Sequence, residues 1–161
     1  MVDVVPPYKR SAMMSGIRRR NTIPEVVVRR ALIEAGYRYR LQRRDLPGRP
    51  DVVLLGQRVA IFVHGCFWHC HQGCRFAKIP ATRPEFWEHK LRTNAARDAR
   101  CVSELQSMGW RVLVVWECFL KTAKSAFEIQ STLAGWIESD KQAGELSERL
   151  AQPARTARKI D

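Results

Sequence analysis

The sequence predicts a mixed α/β fold, a single sheet covered by helices. Three observations lead to that class. Short runs rich in β-branched and aliphatic residues, "DVVLL" at 51–55, "RVAIFV" at 58–63 and "WRVLVVW" at 110–116, read as strands. Amphipathic stretches lie before and between them, opened by capping signatures. With 161 residues, 45% of them hydrophobic, the chain suits one packed core rather than two.

Residues 1–20 form a basic arm: Lys9, Arg10 and the run Arg18-Arg19-Arg20 surround Met13, Met14 and Ile17, a composition open to a basic helix or to an unfolded segment. Thr22-Ile23-Pro24-Glu25 then has the Thr-x-x-Glu form of a capping box, and the apolar positions of "EVVVRRALIEAG" carry a first helix to Gly36. "YRYRLQRR" alternates as a strand does, and Gly56-Gln57 offers a turn between the next two strands. Thr82-x-x-Glu85, with Pro84 inside it, repeats the capping signature and predicts a long polar-faced helix to about Gly109. After the strand at 110–116, a last helix is expected from about Lys121 to Ser139, with Phe127, Leu133, Trp136 and Ile137 at helical spacing toward the core. Trp110 and Trp116 are assigned to the core as well, and Phe86 is expected to pack inward. The domain is therefore bounded at 21–140, with 141–161 a flexible tail.

Charge is the compositional outlier. Lys and Arg number 28 against 16 Asp and Glu, a formal net charge of +12 that suits a polyanionic partner. The amino end lacks a secretory signal and no apolar run reaches membrane-spanning length, so the expected location is cytoplasmic, at the nucleoid when bound to DNA. In a reducing compartment, five cysteines interleaved with histidines read as metal ligands rather than as disulfides.

The stretch "HGCFWHCHQGC", His64 to Cys74, concentrates this chemistry. Zinc needs four soft donors; Cys66, His71 and Cys74 supply three, Cys118 at the end of the strand at 110–116 can supply the fourth, and Cys70 competes with His71. An iron–sulfur reading fails, because the third cysteine it requires falls on Gly73. Asp51, delivered by the constrained turn "LPGRPD", is a candidate magnesium ligand, supplemented by the Val63 carbonyl and by Glu25 holding a metal-bound water. His64 and His69 are candidates for base and phosphate contact. Phe67 and Trp68, with Trp87, are candidate wedges between base pairs.

Four motifs in order, "LPGRPD", "FVHGCFWH", "PATRPEFW" and "MGWRVLVVWEC", resemble the very short patch repair (Vsr) endonucleases across about residues 9–138. That resemblance implies a restriction-endonuclease-like α/β core with a structural zinc site and a magnesium-dependent nick 5′ of the thymine in a T:G mismatch, the product of 5-methylcytosine deamination. It implies Asp51 as the Mg²⁺ ligand, Glu25 and His64 in the metal–water and phosphate network, and His69 as general base. It implies Cys66, His71, Cys74 and Cys118 as Zn²⁺ ligands, and Phe67, Trp68 and Trp87 as intercalating aromatics. The amino-terminal arm, with Met14, Arg18, Arg19 and Arg20, would clamp DNA, and Lys90 and Asn94 would approach the mismatch. Two departures are visible: Val63 stands where some members have threonine, and Gly73 lengthens the ligand loop. The expected partner is double-stranded DNA with a T:G mismatch, followed by mismatch-repair proteins and a repair polymerase, and the expected state is a monomer with no membrane contact. Two competing readings are a zinc-stabilised noncatalytic reader of distorted DNA and a restriction-type nuclease on matched DNA.

Overall fold

The computed structural model describes residues 20–148. Met14, Arg18, Arg19 and the remainder of the arm, and the tail after residue 148, lie outside the described residues. Helix α1 (Ile23–Glu34) starts where the Thr-x-x-Glu pattern puts it. The Glu25 N–H donates to Thr22 Oγ1 at 3.4 Å, and the Glu25 carboxylate accepts from the Asn21 N–H at 3.0 Å and the Thr22 hydroxyl at 3.2 Å, so the box closes in both directions.

Strands β1 (Arg40–Leu41), β2 (Val52–Leu54), β3 (Val59–His64), β4 (Arg111–Trp116) and β5 (Ala143–Leu146) form one sheet in the order β1-β2-β3-β4-β5. The first three are antiparallel neighbours; β3–β4 and β4–β5 are parallel. Helix α2 (Pro84–Ser107) supplies the crossover that a parallel β3–β4 pair requires. Short helix α3 (Glu117–Thr122) and helix α4 (Ala126–Glu138) complete the fold.

Alternation along the strands divides the core in two. Val52, Leu54, Val59, Ile61, Leu113 and Val115 face α1 and α4, where Val28, Leu32, Leu133 and Trp136 meet them. Val53, Ala60, Phe62, Val112, Val114 and Trp116 face the other side with Leu105 of α2 and the sulfurs of Cys66 and Cys118. Fully burying one such aliphatic side chain contributes ~1.5–3 kcal/mol. Truncating Leu113, which is 0% exposed at the centre of the sheet, to alanine would cost ~2–5 kcal/mol.

Several sequence expectations are corrected. The first strand is only two residues long, because Gln42 takes φ 44° and turns the chain away from β2. Helix α2 has no Thr82 capping box: Arg83 is its N-cap in the left-handed region (φ 55°, ψ 54°) with no side-chain cap bond. The last helix is two helices, since Ser125 opens a new one by accepting from the Glu128 N–H at 3.1 Å. Phe127 then falls on the outer side of that first turn and is 73% exposed, whereas Leu133, Trp136 and Ile137 face the core as expected. The folded unit also runs past residue 140: β5 lies inside the segment expected as a flexible tail, and Leu146 is buried.

Candidate active site and metal centre

The sheet register assembles the site at one edge. Because β2 and β3 form an antiparallel hairpin with Val52 opposite Ile61, the start of β2 lies beside the end of β3. The Val63 N–H accordingly donates to Asp51 Oδ2 at 2.7 Å. Strand β4 runs parallel to β3 with Trp116 opposite His64, so Glu117 and Cys118, the first residues of α3, emerge at that same edge. Asp51, Glu25, His64, His69 and Asp98 all line a cleft of about 780 Å³ there.

Burial pushes the Asp51 carboxyl up to about 6, and the nearby Glu25 carboxylate adds to the rise; the Val63 N–H and His69 oppose it. His64 moves the other way, down to about 3, first because it is buried and then because His69 lies against it. The two imidazoles stack with centroids 3.8 Å apart and planes 1° from parallel. Nδ1 of His69 donates to Asp98 Oδ2 at 2.6 Å in the tautomer that leaves Nε2 free to accept a proton. His64, His69 and Asp98 are close enough to be considered as a metal group, but rings stacked face to face direct their in-plane lone pairs along parallel planes and converge poorly on one ion.

A second cluster lies beneath the loop. Ligand atoms of Cys66, His71, Cys74 and Cys118 are all within 4.8 Å of one another. Cys70, at φ 52°, is outside the group and accepts only a long contact of 3.8 Å from Gln72, and Cys101 sits on α2. Of the two residues that spacing left open, His71 lies in the cluster and Cys70 does not. Gly73, at φ 63°, makes the turn that brings the Cys74 N–H to the His71 carbonyl at 3.3 Å. The donor set fits a tetrahedral soft ion: backbone N–H groups of Cys118 and Glu148 point at the sulfurs of Cys66 and Cys118 at 3.3 and 3.4 Å, which favours thiolates. Without an ion, burial and the adjacent cysteines push the Cys66 thiol far above its ordinary range.

Trp116 joins the two clusters. Its indole stacks on His71 at 4.0 Å, meets His64 edge-on at 5.3 Å, and donates to Glu145 of β5 at 3.1 Å.

Phe67, Trp68 and Trp87 pack edge to face at 5.0–6.0 Å, and Phe86 joins them at 5.4 Å from Trp87. Phe86 therefore does not pack inward; it is 45% exposed in an aromatic ridge beside the cleft. Lys90 lies over Trp68, Trp87 and Phe86 at 5.6–5.9 Å, and the Asn94 amide donates to the Trp68 carbonyl at 3.1 Å. Arg20, described at the edge of the arm, is exposed.

Sequence reasoning missed Asp98. A signal was present: Lys90, Asn94 and Asp98 recur every four residues, one face of α2, and that face continues to Cys101 at the cleft. Glu145 was missed with β5, for which "AGEL" carries almost no strand signal.

A family model described as DNA mismatch endonuclease Vsr matches residues 2–75. The DNA mismatch endonuclease Vsr of Escherichia coli strain K12 is 48% identical over 139 residues, 85% of this chain and 88% of that protein. The chain belongs to the Vsr family of DNA mismatch endonucleases. Within this family, the type II nicking enzyme V.XorIIP of Xanthomonas oryzae is also 48% identical, over 74% of this chain and 88% of its own length. V.NmeAIP of Neisseria meningitidis, another type II nicking enzyme, is 41% identical over 75% of this chain and 86% of its own length. The Cys/His cluster gives this member a place where a metal could bind.

Proposed function

We propose that the chain is a magnesium-dependent endonuclease that nicks DNA 5′ of the thymine in a T:G mismatch, leaving a 3′ hydroxyl and a 5′ phosphate for very short patch repair. The observation that carries this reading is the cleft itself, where partly buried Asp51 and buried Glu25 share a wall with a histidine held by another carboxylate, His69 and Asp98. Membership of a mismatch endonuclease family supports the substrate.

Asp51 and the Val63 carbonyl would hold Mg²⁺, with Glu25 and His64 in its surrounding network; the fit rests on two mutually repelling carboxylates at one cleft, Glu25 buried and Asp51 partly so. When bound, the ion supplies charge neutralisation at the phosphate. His69 takes the proton of the attacking water at Nε2, while Asp98 holds the other ring nitrogen and stabilises the imidazolium that forms. His64, kept neutral by burial, braces the ring of His69 and can donate to a phosphate oxygen. Val63 lacks a hydroxyl, which leaves this role to its carbonyl alone. Cys66, His71, Cys74 and Cys118 would hold Zn²⁺, which supplies a cross-link between the loop and α3.

Phe67, Trp68 and Trp87 enter beside the mismatch, where weak pairing lowers the cost of unstacking, and Lys90 and Asn94 approach it from α2. Met14, Arg18, Arg19 and Arg20 clamp the duplex. The core is of the restriction-endonuclease type, the active form is a monomer, and mismatch-repair proteins and a repair polymerase act downstream.

Strand-resolved cleavage of end-labelled duplexes tests the reading, comparing T:G with matched T:A and C:G, with and without Mg²⁺. Nicking only 5′ of the mismatched thymine, abolished by Asp51→Ala at unchanged folding and zinc content, is the expected result. Cutting of matched DNA would shift the activity to a restriction type, and tight binding without cutting would favour a noncatalytic reader.

A further inference from the structure

We propose that Arg49 is a phosphate clamp of the nicking site, engaging a backbone phosphate at or next to the scissile one; the proposal deepens the DNA-nicking reading and rests on it. Arg49 lines the cleft two residues before Asp51. Among the described residues its guanidinium has no hydrogen-bond or ion-pair partner, although Arg49 shares the lining of the cleft with Asp51, Glu25 and Asp98.

Its backbone makes the position unusual. Arg49 has φ 49° although it precedes Pro50, a place where the chain normally stays extended. Arg83 has φ 55° before Pro84, but its guanidinium is engaged over the Phe86 ring at 4.7 Å. No comparable contact accounts for Arg49.

The turn that imposes this conformation is rigid. The Arg49 N–H donates to the Leu46 carbonyl at 3.1 Å, closing a turn in which Pro47 precedes Gly48 at φ 72°. Gly48 is wedged against α2 and β3: a Cβ there would stand 2.8 Å from Cys101 Cβ and 3.1 Å from Phe62 Cζ. A strained residue on a fixed turn, carrying an uncompensated planar cation at the mouth of a carboxylate-lined cleft, is what recognition of a phosphate in fork geometry requires.

The test uses the full-length, zinc-loaded protein and three variants, Arg49→Gly, Arg49→Asn and Arg49→Lys. Glycine and asparagine both tolerate positive φ, so both variants are expected to melt no lower than the wild type. Both are expected to weaken binding of a T:G duplex by about 10- to 100-fold and to reduce the slope of log affinity against log salt by about one. Lysine restores the slope but not the full affinity, because it keeps the charge and loses the fork. Scanning methylphosphonates along the nicked strand locates the contact: one neutralised phosphate weakens the wild type and leaves Arg49→Gly indifferent.

Unchanged affinity and slope in well-folded Gly and Asn variants would overturn the clamp, as would variants that stay sensitive at every phosphate. Binding needs no cleavage, so this arm judges Arg49 even if the wild type nicks no mismatch, a result that would count against the nuclease reading alone.

Discussion

Asp51 is partly buried, and desolvation and the nearby Glu25 outweigh the Val63 N–H, His69 and Arg29, so its charged form is disfavoured until a cation arrives. Its folded pKa, about 6, lies above the unfolded value, so folding is penalised as pH rises through the window from about 4 to 6 and the penalty persists above it. In zinc-loaded, magnesium-free protein, Asp51→Asn should therefore raise the Tm by several degrees at pH 8 and have little effect below pH 4, reflecting at most ~3 kcal/mol. Scanning calorimetry at the two pH values measures this, and an equal effect at both would refute the electrostatic account. Asp98→Asn should slow nicking by about 10²- to 10⁴-fold with little loss of stability, because the ring of His69 loses its anchor and its imidazolium its counter-charge. Single-turnover kinetics at unchanged Tm is the check; wild-type rates would remove Asp98 from the mechanism. The place of Asp51 at the sheet edge beside His64 was legible from the hairpin that its strand and the next would form, whereas Asp98 needed the rotation of α2 about its axis, which no local spacing states.

At the scale of elements, the loop between β3 and α2 carries most of the chemistry, and it is tied to α3 through Cys118 and to β5 through Trp116 and Glu145. Cys118→Ala should release the loop, lowering zinc content and raising the reactivity of Cys66 and Cys74 toward a thiol reagent. Thiol titration alongside metal analysis decides it; full zinc retention with protected thiols would sink the four-ligand cluster. Ending the chain after Asp140 removes β5, uncovers one edge of β4 and deletes buried Leu146, so a drop in stability of ~2–4 kcal/mol is expected in denaturant melts. A truncated chain as stable as the whole would restore the boundary read from the sequence. The central strands were legible from their continuous apolar runs. Strand β5 was not: it has one buried residue and exists because β4 offers a free parallel edge. Helix α4 was legible except for its start, where Ser125-x-x-Glu128 was a capping box passed over in favour of apolar spacing, and Phe127 was misplaced with it.

For the whole molecule, a net charge of +12 means that binding to duplex DNA should weaken steeply with salt. If six to ten phosphates are engaged, affinity falls by about 10³- to 10⁵-fold between 50 and 200 mM salt. Fluorescence anisotropy on a labelled duplex measures the slope; a flat response would deny the backbone a leading role. The class of fold and the order of the helices and of the central strands follow from periodicity, since those elements are specified by their own residues, whereas β5 depends on the edge that β4 offers. The joining of distant groups at one edge follows from register, which only the folded sheet states.

On the proposed function, the stretch from His64 to Cys74 would carry three duties at once, holding a soft ion, presenting two wedge aromatics and presenting the proton acceptor. Damage to Cys66 or Cys74 would then disarm recognition and hydrolysis together, while most of the positive surface is left as it was. Oxidised or stripped molecules would sit on chromosomes as blunt ligands rather than stray cutters, so the design fails safe.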